Sequence, residues 1–332
     1  MNALKQLNAS QQEPLNDFKA YLEQSLRNPF TLNLKDCSLV EVILACAKAR
    51  SKLHKSYHKT ISGLLYNIRL LEAEYRTTLQ PIQVTDVVWG YFIGFCQNRG
   101  LKGSSITTMC NHLKSILSWA AKYNVTVSPT YCDVKLPKSK NQEIALSADE
   151  VSRIAYFDID RFYADRRADF RMTMHKVRDM FVLSCNLFQR HSDMVRIEPE
   201  CFDRNIFRIV QQKTGNEAVV NIDKYAIDAK TTYRILEKYG HKAPYAGGIG
   251  NYNKFLHSLM RDIGFNEPVR IEERVDGKLV VHNVPKWKMI SSHTARRTAI
   301  TVGVVRGFNL HSLKKCSGHT DLKNFDRYVR DE

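Results

Sequence analysis

Apolar positions between residues 61 and 120 recur at helical spacing. Ile61, Leu64, Leu65, Ile68, Leu71 and Tyr75 fall three or four apart and predict one apolar stripe on an α-helix. Ile106, Met109, Cys110, Leu113, Ile116, Leu117 and Ala120 repeat the pattern behind Gly103-Ser104-Ser105, a good helix start. The opposite face of that second helix carries Thr107, Thr108, Asn111, His112, Lys114 and Ser115. Small polar groups with a base among them suit a DNA groove; an ordinary solvated face has the same composition.

The periodicity stops at Pro137-Lys138-Ser139-Lys140-Asn141-Gln142, which reads as a linker. Ser147-Ala148-Asp149-Glu150 then fits a capping box, with Leu146 and Val151 placed as a hydrophobic staple, so a second helical region starts there. Within it, Ile206–Val210 and Ala218–Val220 are rich in β-formers, and Thr214-Gly215-Asn216 supplies the turn of a hairpin. A second β candidate runs from Val269 to Val284, broken at Asp276-Gly277. The expected class is mainly α with small β elements.

Charge narrows the picture. The 332 residues carry 50 Lys plus Arg against 34 Asp plus Glu, a net charge of +16. Residues 51–143 are the most basic stretch for their length, with twelve basic against five acidic residues. Such an excess favours a polyanion as partner, although a basic soluble enzyme of another kind has the same balance. The longest apolar runs, Phe181–Phe188 and Ala299–Val305, fall far short of the roughly 20 residues that cross a bilayer. The first fourteen residues hold no apolar signal core. The eight cysteines form no CxxC and lie scattered, mostly among apolar neighbours. That argues against a zinc or redox motif and for a reducing cytoplasm.

Candidate chemistry gathers in the second half. His293 and Arg296 lie three apart in Ser292-His293-Thr294-Ala295-Arg296-Arg297, so on a helix they share a face. Ser317-Gly318-His319 follows, and Tyr328 stands nine residues after His319. Upstream, Arg190 sits in Phe188-Gln189-Arg190-His191-Ser192-Asp193, and Lys213 at the hairpin tip in Gln211-Gln212-Lys213-Thr214-Gly215. Two guanidinium forks suit the charge of a phosphoryl transition state. A tyrosine hydroxyl can hold a phosphate covalently, and with a free pKa near 10 it needs a base. None of these residue types calls for a metal.

The ordered set Arg, hairpin Lys, His-x-x-Arg, Gly-His and a Tyr nine residues later resembles the tyrosine recombinase (phage integrase) family. The resemblance covers roughly residues 38–332, with the catalytic pattern in 180–328. The wording around Lys213 and His293 is similar to integrases of conjugative transposons and prophages. The resemblance implies Tyr328 as nucleophile, Arg190 and Arg296 as phosphate clamp, and Lys213 as the acid that protonates the leaving 5′-oxygen. It implies His293 as base, His319 as a hydrogen-bond donor to phosphate, and Asp193 as a supporting carboxylate. Thr107, Thr108, Asn111, His112 and Lys114 are placed as DNA contacts, and Arg297 is either a structural residue or a DNA phosphate contact. By resemblance, residues 1–51 are an N-terminal segment with the first helix of the DNA-binding region. Residues 52–140 are a helical, SAM-like core-binding domain, and 144–332 the α+β catalytic domain. No cofactor or metal is implied. The implied partners are double-stranded recombination sites, with four copies on two sites and room for accessory DNA-bending or directionality proteins. One departure is visible: Phe188 stands where the family often has Gly, two residues before the first Arg. A type IB topoisomerase uses the same residue types, and a DNA-binding regulator could retain the fold.

Overall fold

A capping box opens the first helix. Ser38 Oγ accepts from the Glu41 N–H at 3.3 Å while Glu41 Oε2 accepts from the Ser38 N–H at 2.8 Å. The computed structural model describes residues 37–50, 55–136, 143–275 and 278–319. Contacts divide the chain into two compact units, one built from 1–140 and 273–279 and one built from 141–272 and 280–332. The first unit holds α1 (Leu39–Ala49), α2 (Lys55–Glu74), α3 (Asp86–Asn98) and α4 (Gly103–Lys122), packed on one another.

Both predicted stripes form its core. Ile61, Leu64, Leu65, Ile68 and Leu71 of α2 are buried, as are all seven apolar positions expected on α4. Tyr75 is the exception. The helix ends at Glu74, Arg76 turns left-handed (φ 48°), and the Tyr75 ring lies exposed, edge-on to Tyr91 at 5.6 Å. Helix α3 has no counterpart in the sequence reading. It buries Trp89, Phe92, Phe95 and Cys96, while Val87 and Tyr91 on its other side are exposed.

The second unit is a helical body with two small sheets. It runs α5 (Ala148–Ala155), α6 (Ile159–Phe162), α7 (Ala168–Leu187) and α8 (His191–Met194). Three antiparallel strands follow, β1 (Phe202–Asp203), β2 (Ile206–Val210) and β3 (Glu217–Asn221). Then come α9 (Ile222–Tyr225), α10 (Ala229–Lys238), α11 (Ile249–Ile263), the strands β4 (Pro268–Val275) and β5 (Lys278–Pro285), α12 (Ser292–Val305) and α13 (Leu310–Ser317). The Ser147–Glu150 capping box is formed, and Leu146 and Val151 are both buried beside it. The hairpin register pairs Phe207 with Val220 and Ile209 with Ala218, which puts those four buried side chains on one face. Helix α7 is the centre of this unit. Its run Met180–Leu187 is buried throughout, against α5, α10, α11 and α12.

The linker 137–142, the turn Asp276-Gly277, the N-terminal residues 1–36 and Tyr328 lie outside the described residues. Among the described residues no helix is long and apolar enough to cross a membrane, and no cluster of three metal-ligating side chains occurs. Six of the eight cysteines are buried, Cys201 is half-buried and Cys132 exposed.

Candidate active site

The end of α7 sets the position of Arg190. Phe188 terminates that helix in the left-handed region, φ 61° and ψ 13°, with its ring fully buried. A non-glycine residue is strained there by about 1 kcal/mol or more. The burial of the ring anchors the turn. Arg190 then caps the N-terminus of α8, its side chain 19% exposed. Nη1 donates to Gln211 Oε1 at 2.9 Å and lies 4.0 Å from Asp193 Oδ2. Asp193 is wholly buried; its Oδ1 accepts from the Gln212 N–H at 2.8 Å and lies 3.6 Å from Arg196 Nη1. The carboxylate thus binds the arginine turn to the root of the hairpin.

Lys213 sits in the turn between β2 and β3, exposed to solvent. The turn is closed by Gln211 N–H to Asn216 O and Gly215 N–H to Gln211 O, both 2.9 Å. Gln211 itself is buried. Its Nε2 donates to Gln189 Oε1 and to Ser317 O, each at 2.8 Å, and Thr214 Oγ1 donates to its Oε1 at 3.1 Å.

Helix α12 brings His293 and Arg296 onto one side, as their spacing predicts. Its start is held by Thr294 Oγ1, which accepts from the Ser291 N–H at 2.9 Å. Arg296 is fully buried, and its Nη1 donates to the Phe188 carbonyl at 3.2 Å. Its Nη2 lies along the edge of the His319 ring, 3.1 Å from Nε2 and 3.2 Å from Nδ1. His319 follows Gly318, which ends α13 at φ 62°; a Cβ there would lie 2.7 Å from Gln211 Cδ. Only glycine meets both demands. Ser317 Oγ donates to Leu313 O at 2.7 Å, so in its 2.8 Å contact with His319 Nδ1 the ring N–H is the donor. His319 Nε2 is left as acceptor for Arg296.

Both imidazoles are held neutral. His319 is pushed down to about 3 by burial, then by Arg296 and Arg190. His293 stands at the open edge of the site; desolvation by the surrounding protein, then Arg297 and Arg296, lower it to about 4. Arg190, Arg296, His293 and His319 are therefore within electrostatic reach of one another. Two fixed guanidinium groups beside two neutral imidazoles make an anion site with proton acceptors at its margin.

Of the two roles open to Arg297, its surroundings are those of a structural residue. It is buried, donates to Ile144 O at 3.0 Å and pairs with Glu143 at 2.5 Å. It ties the segment before α5 to α12 and faces away from solvent. On α4, Thr108, Asn111 and Ser115 are exposed, while Thr107, His112 and Lys114 are half-buried. Thr108 Oγ1 donates back to Ser104 O at 2.8 Å, and His112 meets the Tyr57 ring edge at 5.4 Å. Burial, then Arg50, lower the His112 pKa.

No family model and no curated protein matches the sequence. Solved structures do match. A lambda integrase dimer bound to a COC′ core site superposes with a TM-score of 0.63 at 14% identity, covering 89% of this chain and 96% of that one. The chain has the tyrosine recombinase fold.

The Tn1549 transposon integrase in complex with a circular intermediate DNA matches that fold with a TM-score of 0.62 at 13% identity, over 88% of this chain and 95% of its own. A lambda integrase tetramer bound to a Holliday junction matches at 0.60 and 15% identity, over 91% and 81%. The buried amides Gln189 and Gln211 are the part of this tyrosine recombinase fold that sequence reading missed. A glutamine beside a turn is usually solvated, and no spacing rule marks a buried one.

Proposed function

We propose that the chain is a site-specific DNA recombinase that cuts and rejoins strands through a covalent 3′-phosphotyrosine. The observation that carries this reading is the meeting of Arg190, Arg296, His293 and His319, from three separate stretches of chain, around one anion site. In this reading Arg190 and Arg296 hold the non-bridging oxygens of the scissile phosphate, where charge accumulates in the transition state. The Tyr328 hydroxyl attacks phosphorus and gives its proton to His293, whose lowered pKa keeps it neutral. The 5′-oxygen departs and takes a proton from Lys213, whose hairpin tip is open to solvent. His319, its pKa raised by the phosphate charge, takes a proton from solvent at Nε2 and donates it to a phosphate oxygen in place of accepting from Arg296, and Asp193 keeps Arg190 and the hairpin together. One phosphodiester is exchanged for another, so the bond energy is retained for rejoining.

The first unit would supply the grip on DNA, with the exposed groups Thr108 and Asn111 of α4 nearest the bases and its basic residues on phosphates. The solved relatives of this fold include a dimer on a core site and a tetramer on a Holliday junction. Four copies on two sites are accordingly the assembly proposed.

The test is a nicked suicide duplex carrying a recombination site of the element that encodes the chain. Wild type should accumulate a covalent protein–DNA adduct, and Tyr328→Phe should form none while binding the duplex equally well. An adduct with the variant would mean a different nucleophile. Relaxation of supercoils with no recombinant product would replace the recombinase reading with a topoisomerase one.

A further inference from the structure

The side chain of Gln211 touches no group assigned a role in strand exchange except Arg190, yet it lies where three site segments meet. Its Oε1 accepts from Arg190 Nη1 at 2.9 Å and from Thr214 Oγ1 at 3.1 Å. Its Nε2 donates to Ser317 O and to Gln189 Oε1, both at 2.8 Å. That uses every hydrogen-bonding position of a primary amide. Gln189 extends the network, its Nε2 donating to Leu187 O at 2.7 Å and Cys316 O at 2.9 Å. Gln211 is 1% exposed and Gln189 is fully buried, so these bonds form away from competing water. Gly318 is shaped to the same side chain, because a Cβ there would overlap it. Asn216 adds a further link, its Nδ2 donating to Gly318 O at 3.3 Å.

We propose that Gln211 is a positioning residue that couples the Lys213 turn to Arg190 and to the Gly318-His319 turn. The inference rests on the recombinase reading and adds a residue to it. Lys213 is two residues beyond Gln211, and within residues 210–217 of the hairpin end Gln211 is the one buried side chain. A buried amide with all four bonds made has one orientation, so the hairpin root, the arginine fork and the Ser317-Gly318 turn move as one body. Displacement of about 1 Å at a reacting group is enough to lose about a hundredfold in rate.

Gln211→Met keeps the length of the side chain and removes all four bonds. It is tested in the full-length chain by single-turnover cleavage of the suicide duplex, once with the natural 5′-oxygen and once with a 5′-bridging phosphorothiolate, whose leaving group needs no proton. At saturating protein the expected loss is about a hundredfold on the natural substrate, shrinking to about tenfold or less on the phosphorothiolate. DNA affinity should change no more than about twofold. Equal losses on the two substrates, or a loss that disappears at saturation, would reduce Gln211 to a residue of fold or binding. Thr214→Val removes one of the four bonds at an exposed position and should lose several-fold, with the same rescue; full activity in that variant counts against the coupling. Wild type that yields no adduct overturns the recombinase reading and this one with it, whereas reactive wild type beside equally reactive Gln211→Met overturns this one alone.

Discussion

Arg296 Nη2 and His319 Nε2 stand 3.1 Å apart, with the guanidinium donating and the imidazole accepting. The contact fixes the protonation state of the histidine before any substrate arrives. A ring that receives a hydrogen bond from a cation cannot itself be charged at that nitrogen, and the lowered pKa of about 3 follows from burial and from the same arginine. A phosphate anion lodged between the two would reverse the electrostatic part of that shift.

That reversal is measurable. In the free protein the ring signals of His293 and His319 should stay flat in NMR titrations between about pH 5 and 8. With duplex DNA bound, at least His319 should titrate inside that window, because the phosphodiester charge raises its pKa. Flat behaviour with and without DNA would show that no phosphate reaches the site.

The same shifts act on folding. Both histidines titrate lower in the folded chain than the ordinary value of 6.5, so below that pH the unfolded chain takes up protons first. Their contribution to stability is present above pH 6.5 and is lost as pH falls through about 4 and then about 3. Thermal melts should show Tm declining over that range, and replacing His319 with Gln should flatten the decline. An unchanged slope in the Gln variant would exclude His319 as its source.

Arg190→Ala isolates the clamp more cleanly than Arg296→Ala, since Arg296 is fully buried and its removal also empties part of the core. Loss of one preorganised donor is worth about 3 kcal/mol in the transition state, or on the order of a hundredfold or more in cleavage rate. DNA affinity should change much less. Parallel losses in rate and affinity would make Arg190 a binding residue only.

Phe188 offers an inverted glycine–alanine comparison. Phe188→Ala removes a fully buried ring, a loss of about 3–5 kcal/mol, and retains the left-handed strain. Phe188→Gly empties the same space and releases the strain, so it should be the more stable of the two by roughly 1 kcal/mol, opposite to the usual order in a helix. Denaturant melts of the two variants decide it; alanine above glycine would mean the turn relaxes on losing the ring.

Asp193→Asn keeps an acceptor for the Gln212 N–H but removes the charge between Arg190 and Arg196. With the carboxylate wholly buried, the expected loss is about 1–3 kcal/mol of stability, read by denaturant unfolding. A neutral result would mean that the hydrogen bond alone holds the hairpin root.

The stripes on α2 and α4, the capping box at Ser147 and the hairpin at 206–221 were legible because each rests on a local rule of period or turn. Tyr75 was misread as core because periodicity does not announce where a helix stops, and the left-handed Arg76 does. Helix α3 escaped notice because exposed apolar residues on its other side, Val87 and Tyr91, blur the period of its buried face. Arg190, His293, Arg296 and His319 could be found by order and spacing, whereas their convergence is tertiary. Arg297 shows the limit of such reading, since only the fold reveals that Glu143 and the Ile144 carbonyl take up its charge. Tyr328 and the linker lie beyond the described residues and keep the standing of sequence inference.

Phe188 also bears on how this sequence can drift. A β-branched side chain at that position would meet a strained backbone, a polar one a dry interior, and glycine would leave a hole beneath the arginine turn. Neighbouring helices would have to enlarge before the ring could shrink. The large aromatic there is thus held in place by the packing of α5, α11 and α12 on α7, and glycine could replace it only with compensating changes inside the protein.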